Sequence, residues 1–170
     1  MTARRILVAG VGNVFHGDDA FGSVVARTLA RTALPPGVVV MDAGIRGLDL
    51  LYALLEGWDA VVLVDAMARR GTPGALYVLD PELGPAREEA ALDAHGLDPV
   101  AVLTQARAAG ARLGTVRVVG CEPAVLEAEG LELSPAVEAA IGPACATIRD
   151  VLSELSLRPA VPAEKDVSHA

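Results

Sequence analysis

Aromatic residues make up only 3% of this chain, and lysine occurs once, at Lys165. With so few rings the core has to be assembled from Val, Leu, Ala and Ile, a mixture suited to buried strands packed against Ala- and Leu-rich helices. A single lysine excludes a polybasic membrane patch. The net charge of −8 removes the clustered basic surface that nucleic-acid binding requires. No apolar run approaches the ~20 residues of a membrane helix. The first residues, with Arg4 and Arg5 before a short apolar run, lack the long apolar region and cleavage site of a secretory leader. Only two cysteines are present, Cys121 and Cys145, and their spacing suits neither a close disulfide nor a metal knuckle. A cytoplasmic protein with reduced thiols is expected.

The 170 residues are 52% hydrophobic, enough for one domain with a sizeable core. Strands are expected at Arg5–Ala9, Val38–Met41, Asp59–Val64, Leu76–Leu79 and Thr115–Val119. Helices are expected at Asp19–Thr32, Leu48–Leu55, Pro99–Ala109 and Ser134–Leu155, the last with Ser134 as N-cap and Pro135 in its first turn. The alternation implies an α/β fold, a three-layer α/β/α sandwich around a mostly parallel five-stranded sheet. The link from the third strand to Leu76 is only about ten residues, short of the dozen or so of a parallel crossover. The fourth strand should therefore run antiparallel, at an edge. Residues 1–157 form the expected domain, and 158–170 read as a flexible tail.

Ligands of open α/β sheets bind beyond the carboxyl ends of the strands. Gly10–Asn13, Asp42, Asp65 and Cys121-Glu122 all fall at such ends, so positions more than a hundred residues apart become one rim. Gly10-Val11-Gly12-Asn13 after a strand suggests a dinucleotide loop, with Asp42 imitating the ribose-binding acid. However, Phe15 stands where the third glycine belongs, and Asp18 and Asp19 would repel a pyrophosphate.

Asp18 and Asp19 could simply cap the following helix, yet two adjacent carboxylates exceed what capping needs. The economical division gives Asp18 to backbone and Asp19 to the rim. Asp65 ends an apolar strand, and His95 lies in a loop flanked by Asp93 and Gly96, each just past a strand or between elements. Asp19, Asp65 and His95 together make a mixed oxygen and nitrogen set for one Ni, Zn, Fe or Mn ion, with open positions left for water or substrate. His16 is a reserve ligand, and His169 is less well placed.

Gly10-x-Gly12-Asn13…Gly17-Asp18-Asp19…Gly22, Asp42-Ala43-Gly44…Gly47 and Val64-Asp65-Ala66 resemble the hydrogenase maturation endopeptidases of [NiFe] hydrogenases. The likeness runs on through the His95 loop and Gly120-Cys121-Glu122-Pro123…Leu131-x-Leu133-Ser134-Pro135, about Ile6 to Leu152 in all. The resemblance implies a protease that removes a C-terminal extension from the hydrogenase large-subunit precursor once nickel has been inserted. It also implies metal contacts at Asp19, Asp65 and His95. Asp19 is Glu in some relatives, Ala20 stands where many have glycine, and Phe15 where an aliphatic residue is common.

On this reading the nickel is carried by the substrate, with Zn or Cd able to take the same site in the isolated protein. A carboxylate, Asp42 or a ligand acid such as Asp19, would serve as general base. The expected enzyme is a monomer that uses neither nucleic acid nor membrane. Competing readings are a nickel- or zinc-binding chaperone without peptidase activity, a nucleotide-binding α/β domain, and a metal-dependent small-molecule hydrolase.

Overall fold

The computed structural model describes residues 2–85, 98–125 and 130–159. Its elements run β1 (Ile6–Val11), a 3-10 turn (Gly17–Ala20), α1 (Phe21–Ala30), β2 (Val38–Gly44), α2 (Gly47–Leu55), β3 (Ala60–Ala66), β4 (Leu76–Leu79), α3 (Pro99–Ala108), β5 (Thr115–Cys121) and α4 (Pro135–Leu157). The sheet order is β2-β1-β3-β5-β4. β1 pairs in parallel with β2 and β3, and β3 with β5, whereas β4 runs antiparallel to β5 at the edge, as its short connection requires. Helices α1 and α4 cover one face with Ile6, Val8, Val62 and Val64. Helices α2 and α3 cover the other with Leu7, Ala9, Val61 and Leu63. The strict alternation of these strand residues between two apolar layers is what a central parallel strand demands.

The strands reach further toward their carboxyl ends than the apolar runs suggest. Pairing continues through Gly10 with Asp42, and through Asp65 with Gly120 and Ala66 with Cys121. Backbone ladders do not depend on side-chain polarity, so Asp42 and Asp65 lie within their strands, not beyond them. The first helix is also later than expected. Asp19 belongs to the 3-10 turn, and α1 starts at Phe21.

Close packing fixes that turn over the sheet. A Cβ on Gly22 would lie 2.1 Å from the Val64 carbonyl oxygen and 2.2 Å from that of Val11, so α1 rests directly on the β1–β3 seam. A Cβ on Gly12, whose φ is +150°, would lie 1.9 Å from the Asp19 carbonyl oxygen. Two glycines of the opening motif are thus consumed by the protein's own backbone, which leaves no cradle there for a pyrophosphate. α4 ends at Leu157, and residues 160–170 of the expected tail lie outside the described residues.

Candidate functional site

Asp18 is 2% exposed and organises the rim from below. Its Oδ1 accepts the Ser134 N–H at 2.7 Å, and its Oδ2 accepts the Ala124 N–H at 2.8 Å, the Val125 N–H at 3.3 Å and the Ser134 hydroxyl at 2.9 Å. Burial alone would push this carboxyl up, but the hydrogen bonds from Ser134, Ala124 and Val125 outweigh it and hold the group below its ordinary value. Asp18 therefore holds backbone, though not that of the helix it precedes. Ser134 takes the N-cap position of α4, with Pro135 in the first turn, but its hydroxyl serves Asp18 instead of capping. Two backbone bonds reinforce the strap, Gly17 N–H to the Gly130 carbonyl at 2.8 Å and Gly130 N–H to the Phe15 carbonyl at 3.3 Å.

With its neighbour so anchored, Asp19 is held at the crest of the 3-10 turn, half-buried, its Oδ2 accepting the Asn13 N–H at 3.1 Å. The turn packs against β3, where Asp65 lies. Burial first, then the Asp19 charge, raises the Asp65 carboxyl to about 8; a bond from the Ala66 N–H opposes the rise, and Asp98 adds to it. A carboxyl whose ionisation is suppressed by burial and by neighbouring acids marks a site short of positive charge. Asp98 is the N-cap of α3, accepting the Val100 and Ala101 N–H groups, and its field at Asp65 has no signal in the sequence. His95, three residues before Asp98, lies outside the described residues. Among the described residues no three His, Cys, Asp or Glu side chains gather closely enough to hold a metal ion. The structure thus brings Asp19 and Asp65 together, and the third predicted ligand is not among the residues it describes.

Asp42 is turned elsewhere. It alternates with Val38 and Val40, which pack toward α1 and α4, whereas Asp65 alternates with Val61 and Leu63 toward α2 and α3. Its Oδ2 accepts from Arg27 Nε at 2.6 Å, and its Oδ1 is buried without a protein partner among the described residues. A cleft of about 220 Å³ opens beside it, lined by Gly12 to Phe15, Ser23, Arg27 and Gly44 to Arg46.

The sequence places Glu122 on the rim and in a motif but gives it no chemical role. It is 5% exposed, and its Oε2 accepts the Arg69 N–H at 2.8 Å and the Tyr77 hydroxyl at 2.7 Å, fixing the loop that leaves β3 just after Asp65. Burial, then the charges of Asp18 and Glu122, pushes the Cys121 thiol up to about 11. It is protonated at neutral pH and offers no thiolate nucleophile. His16 is exposed, and its backbone bridges to Gly130; His169 lies outside the described residues.

The hydrogenase maturation protease family model matches residues 23–151. The hydrogenase 2 maturation protease of Escherichia coli is 33% identical over 94% of this chain and 97% of its own length. A hydrogenase expression/formation protein of Rhodobacter capsulatus is 36% identical over 78% of this chain, a match that spans 64% of that protein. The solved hydrogenase maturating endopeptidase HybD of E. coli superposes with a TM-score of 0.72 at 32% identity, covering 88% of this chain and 93% of that one.

Proposed function

From the premise that this chain belongs to the hydrogenase maturation protease family, a family of peptidases, we propose that it trims the C-terminal extension of a [NiFe]-hydrogenase large-subunit precursor after nickel insertion. The observation that carries this reading is the packing of the turn that bears Asp19 against β3, whose carboxyl end bears Asp65. The nickel arrives as part of the substrate, and Asp19, Asp65 and His95 complete its coordination. An oxygen and nitrogen set of this kind suits Ni²⁺, and Zn²⁺ or Cd²⁺ in the isolated protein.

The docked ion places the scissile peptide against the rim and polarises its carbonyl, so that cleavage waits for nickel. Asp42 faces the opposite side of the sheet and is held by Arg27. We therefore give the general base to Asp19, which can orient the attacking water from the crest of the turn. Among the described residues no helix is long and apolar enough to cross a membrane. We place the enzyme in the cytoplasm as a monomer, with neither nucleic acid nor membrane as a partner.

Intact mass of the cognate precursor, incubated with the protein with and without loaded nickel, tests the reading. Loss of a C-terminal peptide from the nickel form alone, abolished by His95→Ala, is the expected result. Cleavage of both forms would refute the nickel-reading step, and no cleavage of a verified nickel-loaded precursor would favour a metal-binding chaperone.

A further inference from the structure

A peptidase must hold its substrate chain as well as cut it, and the described residues offer an unpaired backbone edge next to the rim. β2 is the terminal strand of the sheet on the side away from β4. The Ile6 N–H bonds the Gly37 carbonyl at 3.0 Å, so Gly37 and, by the alternation of a parallel ladder, Val39 and Met41 turn their backbone groups to β1. Val38, Val40 and Asp42 then turn theirs outward. Two contacts agree with that phase. The Val38 N–H bonds locally to the Pro35 carbonyl at 3.2 Å, and the outward Asp42 carbonyl is taken by Arg46 Nη2 at 2.6 Å. The Val38 carbonyl, both backbone groups of Val40 and the Asp42 N–H have no partner among the described residues.

An exposed strand edge of this kind is a template for another extended chain. At its carboxyl end it runs into the cleft beside Asp42, where Phe15 and Ile45 are 66 and 56% exposed and Arg27 and Arg46, paired with Asp42 and Asp49, complete the lining. The cleft in turn adjoins the turn that bears Asp19, because Asn13, which lines it, donates its N–H to Asp19 Oδ2 at 3.1 Å.

We propose that the β2 edge binds an extended segment of the precursor polypeptide as an added strand, with an apolar side chain of that segment seated between Phe15 and Ile45. The inference rests on the peptidase reading above, and it names the part of the substrate that reading leaves unassigned. A strand added to β2 lies three inter-strand spacings from β3, roughly 14 Å at about 4.8 Å each. The paired segment is therefore separated from the scissile bond by roughly four extended residues at about 3.3 Å per residue. The edge recognises backbone, so sequence selectivity is confined to the residue in the cleft.

Val40→Pro removes an outward N–H without touching the β1 ladder, and Ile45→Asp charges the exposed wall of the cleft. Each is expected to raise KM for cleavage of the nickel-loaded cognate precursor at least tenfold with kcat within about twofold, and thermal melting verifies the fold of both variants. In the wild-type protein, hydrogen exchange at the Val40 amide should slow at least tenfold on adding the precursor. Unchanged KM in folded variants, or an unprotected Val40 amide in the presence of bound precursor, would overturn the proposal. So would sedimentation showing that the variants only dissolve a dimer, which would make the edge a contact between copies. If the wild-type protein binds the precursor and protects Val40 but never cuts it, the docking edge stands and the peptidase reading falls.

Discussion

Asp18→Asn should destabilise the protein while leaving the shape of the side chain unchanged. The carboxylate accepts from Ser134 N–H, Ala124 N–H, Val125 N–H and the Ser134 hydroxyl across both oxygens. An amide keeps one acceptor oxygen, and its NH₂ group faces donors where the other oxygen stood. The Ser134 hydroxyl can rotate and accept, but a backbone N–H cannot. Whichever way the amide turns, at least one buried N–H loses its partner, and the remaining bonds lose their charge assistance. At about 1–3 kcal/mol for a buried unsatisfied group, plus the weakening of its neighbours, the loss is about 3 kcal/mol. For a domain of this size that lowers Tm by roughly 6–12 °C. The native carboxyl is held below its ordinary value of 3.8. Its contribution is therefore complete above the unfolded value and is lost as pH falls through the lower native one. Circular-dichroism melts of wild type and variant should differ by the full amount near pH 7 and converge in strong acid. Equal melting at pH 7, or an offset that persists unchanged into acid, would refute the assignment of Asp18 as the anchor of Ala124, Val125 and Ser134.

Asp65 moves the opposite way. Its native value near 8 lies above the ordinary 3.8, so its contribution to the stability of the metal-free protein is complete below 3.8 and is lost as pH rises toward 8. Asp65→Asn should then stabilise the metal-free protein at pH 8, seen as a higher Tm, with little change at pH 4. The same proton must leave before a cation can bind. Calorimetric Zn²⁺ affinity should therefore rise with pH to about 8 and collapse in Asp65→Asn. Asp42→Asn breaks the ion pair with Arg27 but leaves Asp19 and Asp65 alone. Precursor cleavage should keep its kcat within about threefold, whereas a thousandfold loss would return the base to Asp42. Cys121→Ala should leave cleavage intact, because the thiol is protonated and buried; its resistance to alkylation in the folded protein gives the same answer independently.

The layered fold was readable because it follows from patterns within short windows. Apolar runs bounded by turns marked the strands, and a connection too short for a parallel crossover put β4 antiparallel at the edge. The strand ends were under-read for a definite reason: an apolar run stops at Val64, whereas the ladder continues through Asp65 and Ala66 to meet Gly120 and Cys121. Asp19 and Asp65 stood out as acids where the rim had to be. The face of Asp42 was latent in its alternation with Val38 and Val40, but the pairing with Arg27 comes from a separate helix. The partners of Asp18 are more than a hundred residues away, and the field of Asp98 at Asp65 crosses from α3 to β3. Nothing local in sequence encodes those distances.

The glycines show where a local pattern misleads. Gly10 and Gly12 after a first strand have the spacing of a phosphate loop, and the same spacing here answers a different steric demand. A Cβ on Gly10 would meet the Gly22 carbonyl oxygen at 2.1 Å, and one on Gly12 the Asp19 carbonyl oxygen at 1.9 Å. In a dinucleotide fold the missing Cβ admits a ligand's phosphates. Here it admits the α1 backbone at Gly22 and the turn backbone at Asp19, so the protein's own main chain fills the volume an anion would have taken, with an acid beside it. One absence of side chains thus serves opposite charges, and the residues that follow the glycines decide which. With Asp19 set against β3 and its Asp65, the rim disfavours an anion such as a pyrophosphate.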